Sequence, residues 1–297
     1  MAVAIGMDIG GTKIEASLIN ECGEIQRTIR EPALSENGPM LDRIAGMATS
    51  LSAGHDVLGY GFSIPGSIDA QGILRNAPNS PAIQASSLPA DLATRISGKL
   101  LFENDANCLA ISERAFGAAR GYKHVVGIIL GTGVGGGVII DGKTLHGWRG
   151  LAPEPGHMPL DIHGRLCLCG NRGCAEAYLS GPSLLRRYHD QGGHSAVLDT
   201  QELFQRPGDP LAAAVIQETA ELYARFVAAL ISLYDPEVFV LGGGLSLQPL
   251  FYQQTELIGR YSFGTDKVPP ILKAERGDAS GKLGAAALIF NELVTDS

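Results

Sequence analysis

No stretch of about eighteen apolar residues occurs in the 297-residue chain, so no candidate membrane span is present. Charge is sparse: Asp, Glu, Lys and Arg make up 18 % of the residues, against a usual ~25 %. The Lys and Arg residues form no basic stripe and the net charge is −8, which argues against a nucleic-acid partner. Cysteine is scarce, and five is an odd number, so there is no disulfide framework of the secreted kind. The opening Met1 to Asp8 has no basic region ahead of its apolar residues and reads as a strand rather than a signal peptide. A reducing, cytoplasmic setting is the expectation. Neither GxxxxGK[ST] nor a GxGxxG between strand and helix is found, which removes the two commonest nucleotide-binding loops. An anionic small ligand stays open, because main-chain N–H groups bind phosphate without cationic side chains.

What the chain has in excess is glycine: 39 of 297 residues, about 13 % against a norm of ~7 %. There is no G-X-Y period, so collagen is excluded. Three glycine runs stand out and point to tight turns and close backbone approach to ligands. Hydrophobic residues are 45 %, enough for a full core, and the length carries a prior of about two domains.

The first segment alternates, with Val3, Ile5, Met7 and Ile9 on one face. Gly10-Gly11-Thr12-Lys13 turns, and Ile14, Ala16 and Leu18 resume the alternation, so the pattern predicts a β-hairpin. Strands are expected at 58–64 and 100–103, a loop at 75–81, and a helix over 106–119. A second hairpin follows: apolar 125–130, a turn through Gly131-Thr132-Gly133-Val134-Gly135-Gly136-Gly137, and a return strand at 138–140. It repeats the first at about 120 residues' distance, as either a domain duplication or two unrelated hairpins would. Residues 150–180 are irregular. An amphipathic helix is expected over 209–234, a buried strand over 238–241 closed by Gly242-Gly243-Gly244, and a final helix over 281–293. Strands and helices interleave, so the class is α/β.

Each glycine run follows an apolar strand, where ligands bind in α/β sheets. With the two commonest loops excluded, the turns read as phosphate grips, with the Thr12 and Thr132 hydroxyls as extra donors. Asp8 beside the first turn is suited to hold Mg²⁺ directly or through water. Asp105 reads locally as a helix N-cap. In a cleft it would instead act as a general base, with Asn104 as a positioning donor. The most specific signal is His157 followed by Cys167, Cys169 and Cys174. One His and three Cys match a tetrahedral structural zinc site, and the glycines between them permit the necessary turns. His163 is a rival ligand.

Taken together, these motifs resemble those of the ROK family of bacterial sugar kinases and repressors over essentially the full length of the chain. The matching segments are Asp8-Ile9-Gly10-Gly11-Thr12-Lys13, Asn104-Asp105-Ala106-Asn107, Leu130 to Gly137, Glu154-Pro155-Gly156-His157, Cys167 to Glu176, and Leu241-Gly242-Gly243-Gly244. The resemblance implies an actin-like ATPase (ribonuclease H-like) fold of two α/β domains around a cleft. The first domain is expected over 1–117 and the second over 118–280, with the helix at 281–297 returning to the first. It implies transfer of the γ-phosphate of ATP to the 6-hydroxyl of a hexose, with Asp105 as base. Asn104, Glu154, His157 and Glu176 would bind sugar hydroxyls, joined by Gly66 and Asn79. Gly10 to Lys13 and Gly131 to Gly133 would grip phosphates, and Gly242 to Gly244 would lie against the adenosine. His157 would place one ring nitrogen on zinc and the other on sugar.

One departure stands out. The family has Gly before the site glutamate, and here it is Pro153, with Pro155 following, which stiffens Glu154. Segment 104–113, the long glycine turn through Gly137 and segment 176–181 most resemble N-acetylglucosamine kinases, while 76–80 and 117–121 look closer to fructokinases. N-acetylglucosamine is the expected sugar, with fructose, glucose and mannose as alternatives. A repressor would need an N-terminal helix-turn-helix ahead of the first hairpin. A non-catalytic sugar-binding or regulatory protein would not need Asp105 and all three glycine turns. A zinc hydrolase would need an open metal position, which four protein ligands do not leave. A homodimer is the expectation from symmetry.

Overall fold

The computed structural model describes residues 1–264 and 267–295, so the last two residues of the expected final helix lie outside the described residues. Two five-stranded sheets carry the fold. In the first, β1 (Val3–Ile9), β2 (Lys13–Asn20) and β3 (Ile25–Pro32) run as an antiparallel meander covered by α1 (Asn37–Ser52). β4 (Val57–Ile64) then pairs parallel to β1. A small ribbon of β5 (Ser67–Ile68) and β6 (Leu74–Arg75) and a short α2 (Leu88–Ala93) follow. β7 (Leu100–Asn104) closes the sheet parallel to β4, giving the order β3-β2-β1-β4-β7.

The chain crosses through α3 (Asp105–Phe116) into the second sheet. There β8 (Val125–Leu130), β9 (Val134–Ile140) and β10 (Lys143–Thr144) repeat the antiparallel meander. A long excursion follows through α4 (Glu176–Leu179), α5 (Gly181–Asp190), α6 (Thr200–Phe204) and α7 (Pro210–Tyr234). β11 (Val238–Gly242) then pairs parallel to β8; after α8 (Thr255–Tyr261), β12 (Ile271–Lys273) pairs parallel to β11. The order β10-β9-β8-β11-β12 matches the first sheet strand for strand and direction for direction. The last helix, α9 (Ser280–Thr295), packs on β1 and β4 of the first sheet.

The sequence reading captured the two hairpins but not β3, α1, α2 or α5. It also placed the second turn too wide. Gly135, Gly136 and Gly137 are not turn residues but sit within β9, paired with Ile129, Ile128 and Gly127. They are small because other elements press on the strand: a Cβ on Gly136 would meet Pro155, and one on Gly137 would meet the main chain of Ala106. The helix expected over 106–119 ends at Phe116.

The apolar face of α7, including Val215, Tyr223, Phe226 and Leu230, is fully in the core of the second sheet. Each such side chain contributes about 1.5–3 kcal/mol by leaving water. A separate core lies between the sheets. Ala4 and Ile19 enter it from the first, Val125 and Val240 from the second, with Ala110 and Ile111 of α3 and Leu283 and Ala286 of α9. These two helices touch through backbone: a Cβ on Gly284 would lie 2.2 Å from the carbonyl oxygen of Cys108.

Gly284→Ala is therefore expected to cost about 1–3 kcal/mol by overpacking, despite the ~1 kcal/mol better helix propensity of alanine. Gly46→Ala in α1, where a Cβ meets nothing within 4 Å, is expected to gain up to about 1 kcal/mol. Urea unfolding compares the two; equal shifts would contradict the close helix crossing.

Candidate active site and metal centre

The carboxyl ends of β1, β4 and β7 lie at one edge of the first sheet, because these strands are parallel. They deliver Asp8, Ser63 and Asn104 side by side. The ends of β8 and β11 do the same in the second sheet, so the turn after Leu130 adjoins Gly242 to Gly244. A Cβ on Gly243, which has φ +83, would lie 2.3 Å from the carbonyl oxygen of Leu130. The start of α3 joins the two edges, since Ala106 touches Gly135 and Gly137 of β9.

Asn104, not Asp105, is the N-cap of α3. Its Oδ1 accepts from the main-chain N–H of Ala106 (2.9 Å) and Asn107 (3.4 Å). Its Nδ2 donates to the carbonyl of Gly66 (2.9 Å), which brings the 65–67 turn to the same point. Capping by Asn104 releases Asp105 to the first helical position, where Oδ1 accepts from Ala106 N–H at 2.8 Å. Asp105 as a residue is exposed, and its carboxyl is partly desolvated by the protein around it. That surrounding, then the negative charges of Asp8 and Glu154, lift its pKa to about 6. The carboxyl is thus poised to exchange a proton near neutral pH.

Asp8 accepts from the Ser63 hydroxyl at 2.9 Å and lies against Gly281 in the first turn of α9. Burial raises its pKa, against the lowering effect of the Ser63 bond. The Gly10–Lys13 turn closes through Gly10 N–H to the Lys13 carbonyl (2.9 Å), and Gly11 is pressed on the main chain of Asn79. The Lys13 ammonium is spoken for: it pairs with Glu15 at 2.8 Å. Glu15 also binds Arg30 and the buried Lys282 of α9. Burial works to raise the Glu15 pKa, but the Lys13 and Lys282 bonds outweigh it and hold the group at about 2. The first glycine turn therefore offers its main chain rather than a free lysine.

On the opposite wall, Glu154 precedes a single turn of 3-10 helix, Pro155–His157. This turn is pressed onto β9, where a Cβ on Gly156 would meet the Val134 carbonyl oxygen at 1.9 Å. Burial, with a smaller contribution from Glu176, raises the pKa of Glu154, against an opposing effect of His157. Glu176 opens α4 and its Oε2 accepts from Val134 N–H at 3.0 Å, just after the Gly131–Gly133 turn. Gly131 is held in turn by Gly181 N–H at its carbonyl (2.8 Å).

His157, Cys167, Cys169 and Cys174 bring their ligand atoms within 4.8 Å of one another. Cys167 Sγ is 3.8 Å from His157 Nδ1, and Cys169 Sγ is 3.6 Å from Cys174 Sγ. Tetrahedral zinc with bonds of roughly 2.0–2.3 Å sets its ligands about 3.5–3.8 Å apart, so the donor set fits zinc. With Nδ1 in the cluster, Nε2 is left for another partner. His163 is not in the cluster. The Cys167 thiol also approaches Glu176 Oε1 at 3.8 Å, which links the metal centre to the glycine turn.

Three groups escaped the sequence reading: Ser63, Glu103 and His146. Only Glu103 carried a local signal, a carboxylate at the end of the apolar run Leu100-Leu101-Phe102.

The chain is similar to known proteins over nearly its whole length. The ROK family model matches residues 4–292. A glucokinase of Thermotoga maritima is 35 % identical, with 96 % of both chains covered. An N-acetyl-D-glucosamine kinase of Aliivibrio fischeri is 37 % identical over 95 % of this chain and 98 % of its own. Among solved structures, a ROK hexokinase from Thermus thermophilus superposes with a TM-score of 0.89 at 32 % identity, covering 99 % of this chain and 100 % of its own. A ROK family glucokinase from Streptomyces griseus, in complex with glucose and AMPPNP, gives 0.79 at 33 % identity, covering 97 % and 99 %.

The metal centre generates a direct test. Protein prepared without chelator is expected to hold one zinc per chain by elemental analysis, and Cys169→Ser to lose it. Loss of the ion should expose segment 157–176 to proteolysis, because that segment has little apolar packing of its own. Full zinc content in the variant would remove Cys169 from the ligand set.

Proposed function

Because the chain belongs to the ROK family and is a sugar kinase acting on a hexose, we propose that it transfers the γ-phosphoryl group of ATP to the 6-hydroxyl of N-acetylglucosamine, with Asp105 as the general base. The observation that carries the reading is Asp105 itself. It is a carboxylate with a pKa near 6, set at the start of α3 where the glycine turns of both sheets meet.

Asp105 takes the proton of the 6-hydroxyl as that oxygen bonds to the γ-phosphorus and the bond to the ADP oxygen breaks. Phosphoryl transfer asks mainly for alignment and charge stabilisation, which suits a site built on helix and strand ends. The main chains of Gly10, Gly11, Thr12 and Lys13, with Gly131, Thr132 and Gly133, hold the β- and γ-phosphates in this reading. Gly242, Gly243 and Gly244 face the adenosine. Glu154, His157 and Glu176 bind the sugar from the second sheet, and Asn104, Gly66 and Asn79 from the first. Asn104 does so through the one amide proton that is not donated to the Gly66 carbonyl. Asp8 is the residue for Mg²⁺, which supplies charge neutralisation at the phosphates. Zinc on His157 and the three cysteines would fix the His157 ring so that Nε2 faces the sugar. The two domains of the reading, 1–117 and 118–280, would close on the sugar and exclude water.

The choice of sugar rests on two supports. The relatives include N-acetyl-D-glucosamine kinases at 37 % identity beside a glucokinase at 35 %. An acetamido group also needs space with an apolar wall, and a cavity of about 210 Å³, with Ile64, Ile68 and Phe102 beside the polar Ser67, Glu103 and His146, opens next to Asn104.

The first test is ADP release with Mg-ATP over N-acetylglucosamine, N-acetylmannosamine, glucose, mannose and fructose. Turnover greatest on N-acetylglucosamine is expected, and Asp105→Asn is expected to lower it about 10²–10⁴-fold. Greatest turnover on a sugar without the acetamido group would overturn the choice of substrate and leave the kinase. The second test is pH. The base must be ionised, so kcat/KM is expected to hold above pH 6 and fall as pH drops through about 6. Glu154→Gln removes a charge that raises the Asp105 pKa, so its acid limb should move to lower pH. An acid limb that stays in place would separate the two carboxylates.

A further inference from the structure

Glu103 is a buried carboxylate to which the reading above gives no part beyond lining the cavity beside Asn104. Its Oε1 accepts from the main-chain N–H of Asn104 (2.8 Å) and from Nδ2 of Asn107 (2.9 Å), the residues that flank Asp105 and Ala106. Its Oε2 meets Nε2 of His146 at 2.6 Å. His146 belongs to the other half of the molecule. It lies after β10 of the second sheet, in the loop that leads to Glu154. The His146 carbonyl accepts from Ala152 N–H at 3.0 Å, so the loop closes on itself two residues before Glu154. The pair therefore joins the start of the helix bearing Asp105 to the loop that delivers Glu154. It does so in the wall of the 210 Å³ cavity, which Glu103 and His146 line together with Ser67, Asn104 and Gly150.

We propose that Glu103 and His146 are a positioning pair for phosphoryl transfer, holding Asp105 and Glu154 in register across the cleft. The inference rests on the kinase reading of the site but not on the identity of the sugar. The His146 side chain is 54 % exposed, so its ion pair adds little to folding stability. Without it, Glu103 keeps the Asn104 and Asn107 donors. What the bond supplies is geometry, and reacting groups displaced by about 1 Å can cost up to ~10²-fold in rate.

The test compares wild type, His146→Leu and His146→Gln, each with N-acetylglucosamine and with glucose, reading kcat, KM and the thermal midpoint. His146→Leu is expected to lower kcat about tenfold or more by the same factor on every sugar the wild type turns over, with KM within about threefold. Its thermal midpoint should stay within about 2 °C of wild type. His146→Gln, whose amide nitrogen replaces Nε2 as donor, is expected to return kcat to within about threefold of wild type. In the double variant with Glu103→Gln the two losses should not add, because one bond is removed twice. An unchanged kcat in His146→Leu overturns the proposal. So does a loss confined to one sugar, which would make His146 a substrate contact, or a loss that glutamine does not restore. A wild type inert toward every sugar in the panel overturns the kinase reading and this inference with it.

Discussion

The crossing of α3 and α9 is the contact on which the arrangement of the molecule depends. The two helices meet through Gly284 and the Cys108 main chain, closer than any side chain would allow. α9 is laid just as closely on the first sheet, where a Cβ on Gly6 would meet the Lys282 carbonyl oxygen at 1.9 Å and one on Gly61 the Ala285 oxygen at 1.8 Å. α3 is seated on β8 through Gly127. At these glycines the helices between the sheets are spaced by backbone, and the buried side chains of the core between the sheets fill the rest of the contact. The strand ends of the two sheets are brought near enough for one cleft to be shared. Packed interiors transmit displacement rather than absorb it, so a change of this spacing would be felt at the site.

Against that rigid joint, the site gathers charge that folding alone would avoid. Asp8, Asp105 and Glu154 face a common space, and each has its pKa raised by burial. Bringing like-charged carboxylates together costs free energy. Perturbed acids in a cleft are characteristic of sites that move protons or bind cations. Glu15 shows the opposite treatment nearby: Lys13, Arg30 and Lys282 surround it, and its pKa is held at about 2. One carboxylate is neutralised to brace α9 against β2, while three others are left without cationic partners of that kind.

The His157 and cysteine cluster sits where the irregular segment must be given shape. Its ligand atoms lie at the spacing of a tetrahedral ion. Glu176 joins it to the turn after β8 by accepting from Val134 N–H. A residue expected to bind sugar is therefore also a strut between the metal centre and the second glycine turn. The double proline around Glu154 acts in the same direction. Pro155 packs on Gly136 and carries the 3-10 turn onto β9, so Glu154 is set by the sheet rather than by a free loop.

Much of this was legible in the residues alone. Alternation marked the first hairpin, a continuous apolar run and a glycine turn marked the second, and the glycine runs marked the strand ends. The spacing of one histidine and three cysteines marked a cluster of ligand atoms, because turns and ligand sets are governed by neighbours a few residues away. Tertiary structure decided the rest. Asn104 rather than Asp105 caps α3 because Gly66, 38 residues earlier, accepts the other end of its amide. Gly135 to Gly137 extend a strand because α3 and Pro155 press on it. The Glu103–His146 and Glu15–Lys282 bonds join residues 43 and 267 positions apart. No local pattern encodes such pairs, since each partner is an ordinary polar residue until the fold buries one against the other.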